Sequence, residues 1–173
     1  MADLHYLSIS EAGRTIRNGD LSPVDLVEAL LDRIDRLNPK LDAFLAIAGE
    51  QARADALAAQ EEIAKGNYRG PMHGIPYGLK DIIDYSGWKT TAHSKLLEDN
   101  TAETDATVTA KLRAGGAIFM GKLATHEFAI GGPSFDLPWP PARNPWNTER
   151  HPGGSSSGSG AAVSAGLLPG ALG

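Results

Sequence analysis

The chain has 173 residues, of which 42% are apolar, and this is enough to form the core of one ordinary domain. Its 16 basic and 21 acidic residues give a formal net charge of −5 and are mixed along the chain, which argues against direct binding of nucleic acid. Cysteine is absent and the five histidines are scattered, so disulfides and thiolate metal sites are excluded and a zinc enzyme is disfavoured. The N-terminus lacks a secretory signal, and no segment reaches the ~18 apolar residues of a membrane span. We therefore expect a cytoplasmic protein with no metal, no other cofactor and no membrane partner.

The first part of the chain carries clear helix signals. Ser8 and Glu11 fit a capping box that opens a short helix, and Gly19 provides its stop. Ser22 and Pro23 then restart a helix, because they form an N-cap followed by proline at the first helical position. The apolar residues of this second helix recur at helical spacing: Val24, Val27, Leu30, Leu31, Ile34 and Leu37.

An extended segment over residues 43–47 follows the second helix. The Ala- and Glu-rich run over residues 49–65 predicts a third helix, which Gly66 closes. We therefore interpret residues 1–66 as a helical N-terminal region, and residues 67–173 as the start of a core that contains the chemistry.

The core begins with a strand, a helix and a second strand. Residues 74–84 are strand-like but interrupted by Pro76 and Gly78. A helix is predicted over roughly 105–114, ended by two glycines, and residues 117–121 form a second apolar strand. This order predicts a right-handed βαβ crossover and an α/β fold whose sheet has parallel character.

Residues 131–158 are rich in glycine and proline and predict a long irregular segment, which is often functional. The small residues at 161–168 then predict a tightly packed helix that starts near Ser159. Its N-terminal N–H groups would point towards the Gly-Ser loop at 152–160. The last residues, 167–173, are apolar.

The Gly-Ser loop at 152–160 has alternative interpretations. Its composition is that of a flexible linker, but its flanks are an aromatic, proline-rich segment and an apolar helix rather than solvated ends. A phosphate-binding loop would need a Gly-Lys-Ser/Thr ending, which is missing, and the glycines do not match the dinucleotide fingerprint. We favour a site shaped by the backbone of this loop.

Lys80 is enclosed by apolar residues of the 74–84 segment. A lysine in such a position forms a salt bridge, extends its amine to solvent or loses its proton. In a strand Asp81 points to the opposite face, so it is not the natural partner of Lys80. If the amine is desolvated, its pKa falls and it can act as a base, which requires a hydroxyl group to deprotonate.

Taken together, several segments resemble the amidase signature family, and the resemblance extends along essentially all 173 residues. These segments are residues 74–84, 90–92, 105–108, 143–146 and 152–162. The resemblance implies an α/β fold built on a mixed β-sheet covered by helices. It also implies hydrolysis of small-molecule carboxamides by a Ser–cis-Ser–Lys triad.

The resemblance assigns two catalytic residues. Lys80 corresponds to the triad lysine, and Ser155 corresponds to the bridging serine that relays a proton, with a cis peptide bond between Gly154 and Ser155. Ser156 is the neighbour with which Ser155 is most easily confused. Gly131 and Gly132 correspond to a family segment that lines the substrate pocket. His126 and Glu127 have no triad role in the family, and we interpret them as helix-surface residues.

In the family, an Asp-Thr-Gly-Gly-Ser segment follows the helix and carries the nucleophilic serine, and this chain ends before it. We therefore expect a fold incomplete at the C-terminus, with exposed apolar surface over 161–172 and no activity alone. One alternative is a fragment of the A subunit of an aspartyl/glutamyl-tRNA amidotransferase, which residues 123–127 resemble less closely. Another alternative is a non-catalytic fragment that binds a complementary C-terminal chain. The chain is also a possible homo-oligomer.

Trp146 is expected to pack under the serine loop.

Overall fold

The computed structural model describes residues 4–173. The part of the N-terminus interpreted as lacking a secretory signal includes residues 1–3, which lie outside this range. The helices are α1 (Ile9–Asn18), α2 (Pro23–Leu41), α3 (Gly49–Ala64), α4 (Thr107–Ala114) and α5 (Ser157–Ser164). The strands are β1 (Phe44–Ile47), β2 (Pro76–Lys80), β3 (Ile118–Leu123) and β4 (Ala171–Leu172). Among the described residues, no helix has both the length and the apolar character that a membrane crossing requires.

The signals at the N-terminus are confirmed. Ser8 caps α1 in a capping box, in which its hydroxyl accepts from the Glu11 backbone N–H at 3.2 Å and its own N–H donates to the Glu11 carboxylate at 2.9 Å. Gly19 ends the helix in the left-handed conformation, with φ of 82°. Ser22 caps α2 by accepting from the Val24 N–H at 3.0 Å. The predicted apolar stripe of α2 faces the core, where Val27, Leu30 and Ile34 are fully buried.

The four strands form one mixed sheet in the order β1-β3-β2-β4. The β3 strand is antiparallel to β1 and parallel to β2, and β4 pairs in parallel with β2 on its other side. Because α4 lies between β2 and β3 in the chain, the predicted βαβ unit is present and the α/β class is confirmed. The β1 strand comes from the region predicted to be helical and pairs with β3, so a division of the chain at residue 66 stays a prediction.

The alternation of side chains along β3 separates two cores. Ile118 and Met120 face the larger core, which also contains buried residues of α1, α2 and α5. Phe119 points to the opposite face and joins Tyr77 and Leu79 of β2. Its ring stacks on Tyr85 with centroids 4.3 Å apart and meets Trp88 edge-on at 5.2 Å. Lys80 therefore lies on the face of β2 opposite to this aromatic cluster.

The strand predicted over residues 74–84 is shorter in the structure. The β2 strand begins at Pro76, its register against β3 shifts between Tyr77 and Gly78, and all five of its residues are buried. Proline is tolerated because it is the first residue of the strand. Gly78 leaves room for two leucines, because a Cβ at this position would lie 2.6 Å from Leu123 Cδ1 and 2.7 Å from Leu168 Cδ1.

The predictions for the C-terminal helix also need correction. The α5 helix begins at Ser157 and ends at Ser164, and Gly166 follows it with φ of 66°. Because this left-handed glycine turns the chain, Leu167 and Leu168 leave the helix and enter the larger core. Both leucines are at most 1% exposed, so the expected exposure of apolar surface over 161–172 is wrong for them.

The α5 helix packs directly against backbone at Gly158. A Cβ there would lie 2.3 Å from the Ala124 nitrogen and 2.4 Å from the Ala43 oxygen. The Gly158 N–H also donates to the Ala124 carbonyl at 2.8 Å. Since backbone atoms cannot move aside as a flexible side chain can, only glycine fits at this contact.

We predict that Gly158→Ala lowers the free energy of unfolding by about 1–3 kcal/mol or more, because it overpacks a backbone contact. Gly160→Ala is the matched control in the same helix, since no atom lies within 4 Å of its Cβ position. The control should leave stability unchanged or raise it by up to about 1 kcal/mol through helix propensity. Urea unfolding of both variants measures the difference, and equal effects would contradict the proposed close contact.

Candidate active site

The lysine of the predicted site lies at the end of a buried strand. Lys80 is the last residue of β2 and only 4% exposed. Because β2 and β3 are parallel, their carboxyl ends meet at one edge of the sheet, where ligands bind in open α/β sheets. The Gly-Ser loop and the N-terminus of α5 lie against this edge. The β2 strand therefore places the Lys80 amine next to the Gly-Ser loop.

The structure brings Lys80 and Ser155 together. Lys80 Nζ donates to Ser155 Oγ at 2.8 Å and to Ser156 Oγ at 3.0 Å. The peptide bond between Gly154 and Ser155 is cis, as expected. Within residues 4–173, no carboxylate forms an ion pair with Lys80, and burial lowers the pKa of its amine below the ordinary value. The site therefore contains a desolvated amine whose partners are two hydroxyl groups.

The carboxylate nearest to Lys80 in sequence, that of Asp81, forms an ion pair with a second lysine. Asp81 Oδ1 pairs with Lys122 Nζ at 3.3 Å, and both side chains are almost fully buried. Asp81 Oδ2 accepts from the Thr91 backbone N–H at 3.0 Å and also from the Thr91 hydroxyl. This confirms that Asp81 is not the partner of Lys80.

Lys122 is a residue that the sequence interpretation missed. Its amine donates to the Ile83 carbonyl at 2.7 Å and to Thr90 Oγ1 at 2.9 Å. Burial lowers the pKa of Lys122, and the neighbouring Asp81 carboxylate opposes that shift. Its position in an apolar strand, Ile-Phe-Met-Gly-Lys-Leu, was the available signal, because a buried lysine requires a partner.

The expectation for His126 is wrong, because this residue is 6% exposed and not on a helix surface. It precedes a short 3₁₀ turn over Glu127–Ala129, in which Phe128 has φ of 49°. The backbone N–H of His126 donates to the Ser155 carbonyl at 2.9 Å. The backbone of His126 is therefore bonded to the Gly-Ser loop.

The two glycines expected to line the substrate pocket are exposed. The Gly131 carbonyl lies 2.9 Å from His126 Nδ1, which ties this loop to the site through the histidine. No atom lies within 4 Å of a Cβ position at Gly131 or Gly132. Their contact with substrate stays a prediction.

The expected packing of Trp146 under the serine loop is wrong. Its side chain is 88% exposed, and its indole N–H donates to Ser164 Oγ at 3.0 Å, near the end of α5. The turn at 144–147 directs the ring outwards, since Asn144 Oδ1 accepts from the Trp146 backbone N–H at 3.0 Å. Trp139 instead lies near the sheet edge, in the wall of a cavity of about 480 Å³ that Asp81 and Lys122 also line.

Across residues 4–173, no group of three or more His, Asp or Glu side chains is arranged to hold a metal ion.

The fold agrees with comparisons to known proteins. The amidase family model matches residues 25–173. The chain belongs to the amidase family. It is 46% identical over 173 residues to the A subunit of the glutamyl-tRNA(Gln) amidotransferase of Roseiflexus castenholzii, and 43% identical to that of Chloroflexus aggregans. All of this chain aligns in both cases, but it spans only 35–36% of those relatives.

Solved structures show the same relationship. A peptide amidase from Stenotrophomonas maltophilia superimposes with a TM-score of 0.85 at 33% identity, over 94% of this chain and 35% of the amidase. A bacterial aryl acylamidase of the amidase signature family superimposes with a TM-score of 0.88 at 28% identity, over 96% of this chain and 35% of that enzyme. The chain thus has the amidase-signature fold over about a third of the length of these enzymes.

We predict that Lys122→Met lowers the free energy of unfolding by about 3–5 kcal/mol, because it leaves the Asp81 carboxylate buried without its cation. The double variant Asp81→Asn with Lys122→Met removes both charges and should recover part of this loss. Lys89→Met is the matched control, since the Lys89–Asp99 pair is exposed and contributes at most about 1 kcal/mol. Chemical denaturation tests this, and a double variant less stable than Lys122→Met would contradict it.

Proposed function

We propose that this chain provides the lysine base and the bridging serine of an amide-hydrolysing active site in the cytoplasm. The observation that carries the proposal is the 2.8 Å hydrogen bond between Lys80 Nζ and Ser155 Oγ. The lowered pKa of Lys80 supports it, because only the neutral amine can accept a proton. Membership of the amidase family supports the same reaction class.

In the proposed mechanism, neutral Lys80 takes a proton from Ser155, and Ser155 takes one from the attacking hydroxyl. That hydroxyl belongs to the serine of the Asp-Thr-Gly-Gly-Ser segment, which these 173 residues do not contain. Attack on the carboxamide carbon forms a tetrahedral intermediate. The C–N bond then breaks, and the proton returns through Ser155 to the leaving ammonia or amine. Water hydrolyses the resulting acyl-enzyme to the carboxylic acid and restores the free serine.

Ser155 is assigned as the relay because the family resemblance gives the bridging role to this position. The hydroxyls of Ser155 and Ser156 both lie within hydrogen-bond distance of the amine, at 2.8 Å and 3.0 Å. Ser156 remains near enough to act as a second hydrogen-bond acceptor that fixes the amine.

A second candidate function is that of the A subunit of a glutamyl-tRNA(Gln) amidotransferase, which would act with partner subunits. The specific observation in its favour is the identity of 46% over the whole chain to such a protein. In either candidate the activity would require further sequence, supplied by a longer chain or by a complementing C-terminal fragment. Homo-oligomer formation is also compatible with this proposal.

The first test is hydrolysis, measured as ammonia release from a panel of small carboxamides. It compares the 173-residue chain with a chimera that adds the remaining two thirds of the S. maltophilia peptide amidase. We expect activity only in the chimera, and we expect Lys80→Ala or Ser155→Ala to lower kcat by at least roughly 100-fold. Ser164→Ala is the control, because this hydroxyl lies near Trp146 and is not bonded to Lys80. Activity in the 173-residue chain would show that the nucleophile is assigned wrongly.

The second test is the dependence of hydrolysis on pH. Because the neutral form of Lys80 is the base, kcat/KM should fall as the pH decreases through the pKa of this amine. Burial lowers that pKa, so the acidic limb should lie below the ordinary lysine value of 10.5. A limb at the ordinary value, or a rate unaffected by Lys80→Arg, would contradict the role of base.

A further inference from the structure

His126 makes hydrogen bonds to two loops at once. Its backbone N–H donates to the Ser155 carbonyl at 2.9 Å, and its carbonyl accepts from the Ala129 N–H at 2.8 Å. Its Nδ1 lies 2.9 Å from the Gly131 carbonyl. The residue therefore connects the turn that carries Ser155 to the loop that carries Gly131.

The imidazole also packs against the residue before Ser155. A Cβ at Gly154 would lie 2.2 Å from both Cε1 and Nε2 of His126, so only glycine permits this contact. The ring thus rests on the Gly154 backbone.

The hydrogen-bond partner defines the tautomer of His126. A carbonyl oxygen can only accept, so Nδ1 carries a proton and donates it to Gly131. Among the described residues, the buried Nε2 atom has no hydrogen-bond partner. The single side-chain hydrogen bond of His126 is therefore the one that fixes the orientation of its ring.

The backbone around His126 is held in an unusual conformation. Phe128 and Ala129 have φ of 49° and 59°, a region that disfavours residues other than glycine. The Phe128 N–H donates to the Ala92 carbonyl at 2.9 Å, and Ala92 also has a positive φ of 50°. Such conformations persist where surrounding contacts enforce them, and they concentrate at functional sites.

We propose that His126 is a positioning residue: its Nδ1–H bond to Gly131 fixes residue 126, whose backbone N–H holds the Ser155 carbonyl and so keeps the Ser155 hydroxyl within reach of Lys80. This inference rests on the proposed function, because it assigns Ser155 as the proton relay. It differs from the roles of Lys80 and Ser155 in that His126 is not a member of the proposed proton relay.

Two substitutions separate the hydrogen bond from the bulk of the ring. His126→Phe keeps a flat ring beside Gly154 but loses the Nδ1 donor. His126→Asn keeps a donor near the Nδ1 position but loses the ring. His73→Phe is the matched control, since His73 is also buried but pairs with Glu62 and lies against Gly116 rather than the Gly-Ser loop.

The first measurements use the 173-residue chain and need no catalysis. Nitrogen NMR of the wild-type imidazole should show Nδ1 protonated. Hydrogen exchange of the residue-126 amide, which donates to the Ser155 carbonyl, should be several-fold faster in His126→Phe and close to wild type in His126→Asn and His73→Phe. Exchange of the Gly158 amide is the internal reference, because it reports on the packing of α5.

The last measurement uses the chimera. His126→Phe should lower kcat by roughly 10- to 100-fold with little change in KM, because misplacement of the relay affects the chemical step. His126→Asn should recover most of this loss. An Nδ1 without a proton, or equal effects of the Phe and Asn variants, would overturn the proposal. A wild-type chimera without amidase activity would refute the proposed function, while the NMR and exchange results would still decide the role of His126.

Discussion

Lys80 is buried at the carboxyl end of β2 with hydroxyl groups as its hydrogen-bond partners. Transfer of an amine to a poorly solvated position favours its neutral form, and a carboxylate partner would reverse that preference. The absence of an acidic partner among the described residues is therefore the condition on which the proposed chemistry depends. The arrangement of the sheet edge and of the Gly-Ser loop preserves this condition.

Two buried lysines share this edge of the sheet but have different surroundings. Lys122 is paired with Asp81 and hydrogen-bonded to Ile83 and Thr90, so its charge is compensated. Lys80 lies one residue from Asp81 in sequence but on the other face of the strand. Consecutive side chains of an extended chain point to opposite faces. Asp81 can therefore form a structural ion pair with Lys122 while the adjacent Lys80 stays unpaired as a candidate base.

Close packing of small residues gives this site its geometry. The side chains of Leu123 and Leu168 pack directly on Gly78. The backbone at Ala43 and Ala124 packs directly on Gly158. These contacts allow α5 to lie directly on the sheet, which places Ser155 and Ser156 above Lys80. Gly154 in turn provides the surface on which His126 rests. Glycines at these positions are required by the approach of neighbouring atoms and not by flexibility.

The sequence by itself determined helices α1 and α2, because capping residues and apolar spacing are local signals, and it identified Lys80 and Ser155 through segments resembling a known family. It also indicated that Asp81 would not pair with Lys80, since strand alternation is local too. Only the tertiary structure decided the partner of Asp81 and the burial of His126. Both depend on contacts between segments distant in sequence, which no local pattern encodes. Lys122 and His126 were missed for this reason, because their partners lie 41 and 29 residues away, at Asp81 and Ser155.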